Sequence, residues 1–426
     1  MHPNIWPPFT ILGKTKKPLR VQSGRGIWLT LEDGREVIDC ISSWWVNLHG
    51  HTHPAIIEAI HAQASKLEHV IFSNFTHQPA EELAEKLTSV LPGDLNRVFF
   101  SDNGSTAVEV ALKMAWQYWK NRGENRKRFI AFEGAYHGDT VGAMSAGARS
   151  VFSQVFNDLL FEVEYLPWPE TWIGDESAGE REDAIIEILE SRLEKNPELY
   201  AGVIVEPLVQ GAGGMRCCRE QFLQKIKGSL KQTHTLLIFD EVMTGFGRTG
   251  EWFAAERAMV EPDIICLAKG LTGGFLPMAV TVCSDTIYDA FYSGDPLKTL
   301  WHGHSYTANP LGCAAALASF ELMKESESDF RGMEAIHKEH LLSIATMEQV
   351  TRARVMGTIA AFNIQNREGS GYLNPVADLI KSECVDAGLL LRPLGNVVYL
   401  MPPYCIEPEE LSTVYQKIAQ LIKRVA

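Results

Sequence analysis

Seven short apolar runs recur through the middle of the chain, separated by stretches of helical periodicity. They are Arg97–Phe100, Arg128–Phe132, Glu162–Leu166, Gly202–Glu206, Leu236–Asp240, Ile264–Ala268 and Met278–Cys283. Runs this short and this apolar predict strands buried on both faces of a mainly parallel, seven-stranded sheet. Between the first two, Val108, Leu112, Ala115 and Trp119 share one face of a helix predicted over Thr106–Lys120. Strand–helix alternation of this kind predicts a doubly wound α/β domain. The first fifty-odd residues lack it: Gly24, Gly26, Asp33-Gly34 and three early prolines predict an irregular, turn-rich segment.

The pattern changes after Asn309-Pro310. Leu311–Lys324 predicts a long helix, followed by strands at Thr358–Ile364, Leu389–Leu391 and Val397–Met401. Pro408–Val425 opens with a proline suited to a first helical turn and puts Leu411, Val414, Ile418, Leu421, Ile422 and Val425 on one face. Three parts are expected: residues 1–55 packing with a small domain, a large domain over 56–325, and a small α+β domain over 326–426. The acidic stretch Glu325–Asp329 is the expected boundary turn.

Composition narrows the function. Hydrophobic residues make up 46% and charged residues 22%, which excludes a mainly disordered chain. Lys plus Arg is 39 against 53 Asp plus Glu, a net charge of −14, so the chain lacks the basic field that neutralises nucleic-acid phosphates. No apolar run approaches the ~18 residues of a membrane span, and the opening MHPNIWPPFT has no basic region followed by an apolar core, so no secretory signal is expected. The eight cysteines form no CxxC, and Cys217 and Cys218 are adjacent; reduced thiols of a cytoplasmic protein are expected.

Several local patterns imitate binding motifs. Gly245-Phe246-Gly247-Arg248-Thr249-Gly250 fits GxGxxG, but it comes more than halfway through the chain and opens no helix, so a plain glycine loop is preferred to a nicotinamide site. Gly13-Lys14-Thr15 matches the end of a phosphate loop, but Pro8 stands where the motif needs glycine. Leu236–Glu241 then resembles an ATPase acidic strand without its phosphate-binding half. His49, His51 and His53 alternate beside Gly50 and Pro54; with no Cys or carboxylate cluster to complete a zinc site, no metal is expected.

More informative are two residues at predicted strand ends, Asp240 and Lys269. Either alone reads as a loop charge. Functional groups of open α/β sheets gather at strand carboxyl ends, so together they gain weight. A partly desolvated lysine amine is a nucleophile or base, and a carboxylate facing a pyridinium nitrogen keeps that ring an electron sink. Ser101–Thr106, running into the Val108 helix, offers backbone N–H groups to an anion, although an ordinary helix cap explains the same residues.

Gly104-Ser105-Thr106, Tyr136-His137-Gly138, Asp240-Glu241-Val242, Thr244–Gly250, Lys269-Gly270 and Asn309-Pro310, in this order, make the whole chain resemble the class III, fold-type-I pyridoxal-phosphate aminotransferases. The resemblance implies pyridoxal 5'-phosphate linked to Lys269 and Asp240 on its pyridine nitrogen. It implies Gly104 and Ser105 on the phosphate, Tyr136 at the ring and substrate side, and Val242 against the other ring face. Asn4–Thr10, Trp44-Trp45, Arg392-Pro393 and Tyr399–Tyr404 resemble the biotin-pathway branch of that class. That branch implies 8-amino-7-oxononanoate as amino acceptor and S-adenosylmethionine as donor; the alternatives are the same acceptor with lysine as donor, or another class III aminotransferase acting on ω-amino acids or diamines. Trp44, Trp45, Tyr136, Gly303, Arg392 and Tyr399 would meet the substrate, the tryptophans covering its apolar chain and Arg392 its carboxylate. The resemblance also places Arg248 and Asp139 near the substrate side, with a structural ion pair the alternative for each. Phe9 stands where the branch usually has Tyr, which removes a hydroxyl, and Ser305 stands for a phosphate-capping Thr. That capping loop is borrowed across a subunit boundary in the family, which implies a homodimer.

Overall fold

The structure is a computed structural model describing residues 4–13, 18–365 and 371–425. Lys14 and Thr15 of the phosphate-loop look-alike lie outside them. All seven expected strands join one sheet, in the order Leu95–Ser101, Ala279–Ser284, Ile264–Leu267, Leu236–Asp240, Tyr200–Val205, Arg128–Phe132, Val163–Leu166. Only Ala279–Ser284 runs antiparallel to its neighbours. Alternate side chains serve opposite faces: Leu236 and Ile238 pack with the Gly104–Asn121 helix, Leu237 and Phe239 with the core on the other side. Both faces are therefore covered, which is why these strands read as unbroken apolar runs.

The amino-terminal expectation is corrected. Val21–Arg25, Trp28–Leu31 and Glu36–Asp39 form an antiparallel sheet, and Leu389–Leu390 joins it parallel to Glu36–Asp39. The first strand is exposed and carries Gly24, so it gives no apolar signal; the Asp33-Gly34 turn, with Gly34 at φ 86°, was the readable hairpin mark. Val350–Met356, Ile359–Ile364 and Val397–Leu400 make a third, antiparallel sheet. The acidic boundary turn is also corrected. The chain breaks only at Ser326, and Glu327–Ile344 is a helix whose first turn carries Glu327 and Asp329 against its positive dipole end. No helix of the described residues is long and apolar enough to cross a membrane.

Candidate active site

The parallel strands deliver their carboxyl ends to one place, and a cavity of about 770 Å³ opens there. Asp240 ends its strand and pairs in register with Cys266 of the adjacent strand, three residues before Lys269. Glu206 follows Tyr200–Val205, Tyr136 and His137 follow Arg128–Phe132, and Asp102 to Ser105 follow Leu95–Ser101. All of them line the cavity. Residues far apart in sequence converge because parallel strands share a direction, as at the ligand crevice of open α/β sheets.

Asp240 is buried, and its Oδ2 accepts a 2.6 Å hydrogen bond from His137 Nδ1–H. Its Oδ1 accepts from the Val242 N–H at 3.1 Å. Burial alone would pull His137 down, but the hydrogen bond and charge of Asp240 outweigh it and raise its pKa. Burial pushes Glu206 up to about 7, beside Asp240; it accepts from the backbone N–H groups of Tyr136 and Gly211, both at 3.0 Å. Burial pulls the Lys269 amine down to about 8, opposed by the charges of Asp240 and Glu206. Its Nζ stands 4.9 Å from the Trp45 ring centroid. Lys269 itself has φ 44°, a conformation that costs a residue with a side chain about 1–3 kcal/mol.

Opposite, the Gly104–Asn121 helix points its amino end at the cavity. Asn103 caps it, accepting from the Thr106 N–H at 3.0 Å and donating its own N–H to Thr106 Oγ1 at 3.2 Å. A Cβ at Gly104 would lie 2.5 Å from Val242 Cγ1, and one at Gly138 would lie 2.3 Å from Ser105 Oγ. Glycine at both places keeps a cradle open, and the end of an 18-residue helix favours an anion in it. The far wall is aromatic. Phe9 meets Trp44 at 5.6 Å and Phe152 at 5.8 Å, and Phe152 meets Tyr372 at 4.5 Å. Arg392 lies 4.3 Å over the Trp44 ring. Asp139 lines the cavity and accepts from the Tyr136 hydroxyl at 2.9 Å. An amine, a buried carboxylate and an anion cradle arranged this way fit an aldehyde-bearing, phosphorylated pyridine.

Four expected positions stand outside this chain's cavity, Ser305 among them, as a loop lent to a second subunit would. Tyr399 is buried behind Trp45, accepting its Nε1–H at 2.9 Å, and does not reach the cavity. Arg248 neither faces the substrate side nor forms an ion pair: buried among backbone, it donates to the carbonyls of Pro402 and Asn47. Gly303 and Ser305 are exposed and stand outside this chain's cavity. His49 and His51 serve the packing, bonded to Ser319 and Asp39. Sequence reasoning passed over Glu206, although the strand-end rule that found Asp240 applies equally to it. It also passed over Phe152 and Tyr372, which carry no local signal.

A buried amine that resists protonation has a measurable consequence. With cofactor removed, the folded chain binds a proton at Lys269 less tightly than the unfolded chain, whose lysine titrates near ~10.4. The penalty is full below about 8 and fades as pH rises toward that value. Cofactor-free Lys269→Met is therefore expected to be more stable than wild type at pH 7 by about 1–3 kcal/mol, with the gap closing by pH 10. Urea denaturation of both proteins at the two pH values reads the gap.

Residues 12–422 match the family model for class-III aminotransferases. An adenosylmethionine-8-amino-7-oxononanoate aminotransferase from Synechococcus elongatus is 57% identical over 424 residues, covering 100% of this chain and 99% of that protein. The crystal structure of the enzyme of that name from Methanocaldococcus jannaschii superposes with a TM-score of 0.91 at 34% identity, over 99% of this chain and 97% of its own. An amine transaminase from an uncultivated Pseudomonas species, solved in its PLP-bound form, superposes with a TM-score of 0.93 at 30% identity, over 99% of each chain. The sheet and its layers are those of the fold-type-I transferases, and the chain belongs to the class-III aminotransferases.

Proposed function

We propose that the protein transfers an amino group to 8-amino-7-oxononanoate, giving 7,8-diaminononanoate, with S-adenosylmethionine as donor and pyridoxal phosphate as cofactor. The observation that carries this is the shared cavity: Lys269 and Asp240 at one end, and Arg392 beyond an aromatic wall at the other. Bound pyridoxal phosphate supplies a ring that withdraws electrons from the carbon bearing the amine. The chain's own residues do the rest. Lys269 would hold the cofactor through its amine, and its Nζ, when free, would take the proton from the amine-bearing carbon and return it. Its lowered pKa leaves more free base near neutral pH. Asp240 would pair with the pyridine nitrogen, and His137 holds the carboxylate through its 2.6 Å bond. Gly104 and Ser105 would hold the phosphate at the helix end, and Tyr136 and Val242 would pack against the ring. Trp44, Trp45 and Phe9 cover the acceptor's alkyl chain, and Arg392 takes its carboxylate. The same cavity serves donor and acceptor in turn, so two half-reactions alternate.

We read the active form as a homodimer. Gly303 and Ser305 lie outside the chain's own cavity, next to Trp301 and Tyr306, which are 75% and 64% exposed. Among the described residues that line the cavity, Lys269 and Arg392 are the lysine and arginine, and we read the hydroxyl of Ser305 from a second copy as a further partner for the phosphate. All eight cysteines are free, which suits a reducing compartment, the cytoplasm.

Spectroscopy of the two half-reactions tests the assignment. S-adenosylmethionine is expected to discharge the holoenzyme, lysine to do so poorly, and 8-amino-7-oxononanoate to restore it. Loss of the charge-assisted bonds in Arg392→Ala should raise KM for the keto acid about 10- to 100-fold with a smaller change in kcat. Turnover of simple amines with none of the keto acid would reassign the protein to the amine transaminases.

A further inference from the structure

Asp39 does not line the cavity, yet it anchors the two tryptophans that do. We propose that Asp39 is a positioning residue that sets the Trp44–Trp45 elbow for the amino acceptor's chain; the substrate part of this rests on the acceptor assigned above.

The elbow is strained. Ser42, Ser43 and Trp45 have φ of 50°, 61° and 69°, a region that residues with a Cβ avoid. Nothing about serine or tryptophan favours it, so neighbouring groups must hold it. The Asp39 carboxylate is fully buried and receives four donors. Oδ1 accepts the N–H groups of Ile41 at 3.2 Å and Ser43 at 2.9 Å. Oδ2 accepts the Ser43 hydroxyl at 2.8 Å and His51 Nε2–H at 2.9 Å. The Asn47 amide donates to His51 Nδ1 at 3.1 Å, which assigns the ring proton to Nε2. The His51 backbone is tied both ways to Gly26, at 2.7 and 3.1 Å. One carboxylate thus joins the end of the Glu36–Asp39 strand, the elbow and the Gly26 turn. A second tie, Ser42 Oγ–H to the Met401 carbonyl at 2.8 Å, holds the elbow's other side.

Both tryptophans hang from this elbow. Trp45 faces Lys269 and Trp44 carries Arg392 on its ring. Relaxing Ser43 toward an ordinary φ would swing both walls at once, while leaving Lys269, Asp240 and the helix end in place. Substrates that use the walls should suffer, and small amines that do not reach them should not.

The test compares wild type, Asp39→Ala, Asp39→Asn and Asp39→Ala/Ser43→Gly as holoenzymes. Asp39→Ala is expected to raise KM for 8-amino-7-oxononanoate about 10- to 100-fold, with kcat and the isopropylamine half-reaction within about threefold of wild type. Asp39→Asn should fall between, because an amide N–H2 confronts a donor. Adding Ser43→Gly should recover most of the KM, since glycine takes positive φ without help. In cofactor-free protein, amide hydrogen exchange over residues 41–45 should quicken in Asp39→Ala while the seven-stranded sheet stays protected. An unchanged KM, an isopropylamine rate that falls equally, or no gain from glycine would overturn the proposal. Should Asp39→Ala not fold, Ser43→Ala removes one donor only; a KM unmoved in that variant overturns it too. Wild-type turnover of the keto acid judges the acceptor assignment separately, and the exchange measurement judges the elbow without it.

Discussion

Lys269→Ala is expected to lower transamination by at least about 10⁴-fold, because in the proposed mechanism one amine both carries the cofactor and moves the proton. Among the described residues no other lysine lines the cavity to replace it. Borohydride treatment of wild-type holoenzyme should leave the cofactor label on the peptide containing Lys269, and the variant should take up none. Small added amines should recover a fraction of the variant's half-reaction, with a pH dependence set by the added amine and not by the protein. Label recovered on another lysine would end the assignment. Lys269 lies two residues past the buried strand Ile264–Leu267, with φ 44°, and Lys269→Arg is also expected to be inactive, because a guanidinium stays protonated and is no nucleophile.

The second-largest expected loss is Asp240→Asn, about 100- to 1000-fold in kcat. The substitution preserves shape and can still accept the bond from His137, but it removes the charge proposed to keep a ring nitrogen protonated. The His137 pKa, raised by that charge, should fall in the variant, and imidazole titration by NMR reads this independently of activity. His137→Gln retains the carboxylate and loses only its support; a loss nearer tenfold is expected there. A kcat for Asp240→Asn within about tenfold of wild type would remove Asp240 from the assigned role.

Legibility followed burial. Every strand of the large sheet could be read within about two residues, because covered faces demand unbroken apolar runs and turns must interrupt them. The Pro408–Val425 helix was readable to its ends, since proline opens it and one face is apolar throughout. The strand Val21–Arg25 was not: it is mostly exposed, and its pairing with Trp28–Leu31 is satisfied by backbone bonds that carry no side-chain pattern. The acidic stretch after Glu325 imitated a turn because acidic residues also suit a helix's first turn.

The seven strand segments, the chemistry expected of Asp240 and Lys269, and the family resemblance all followed from residue types in linear order; the order in which the strands lie in the sheet did not. Which aromatic residues share a wall did not. Trp45 reaches the cavity while Tyr399 stays behind it, and Phe152 and Tyr372 meet although more than two hundred residues separate them. Nor could residue order show that a buried Asp39 bends the backbone beneath the tryptophans. Periodicity records which side of an element is dry. Contacts between elements depend on crossing angles and backbone strain summed over the whole fold, and only the folded chain expresses that sum.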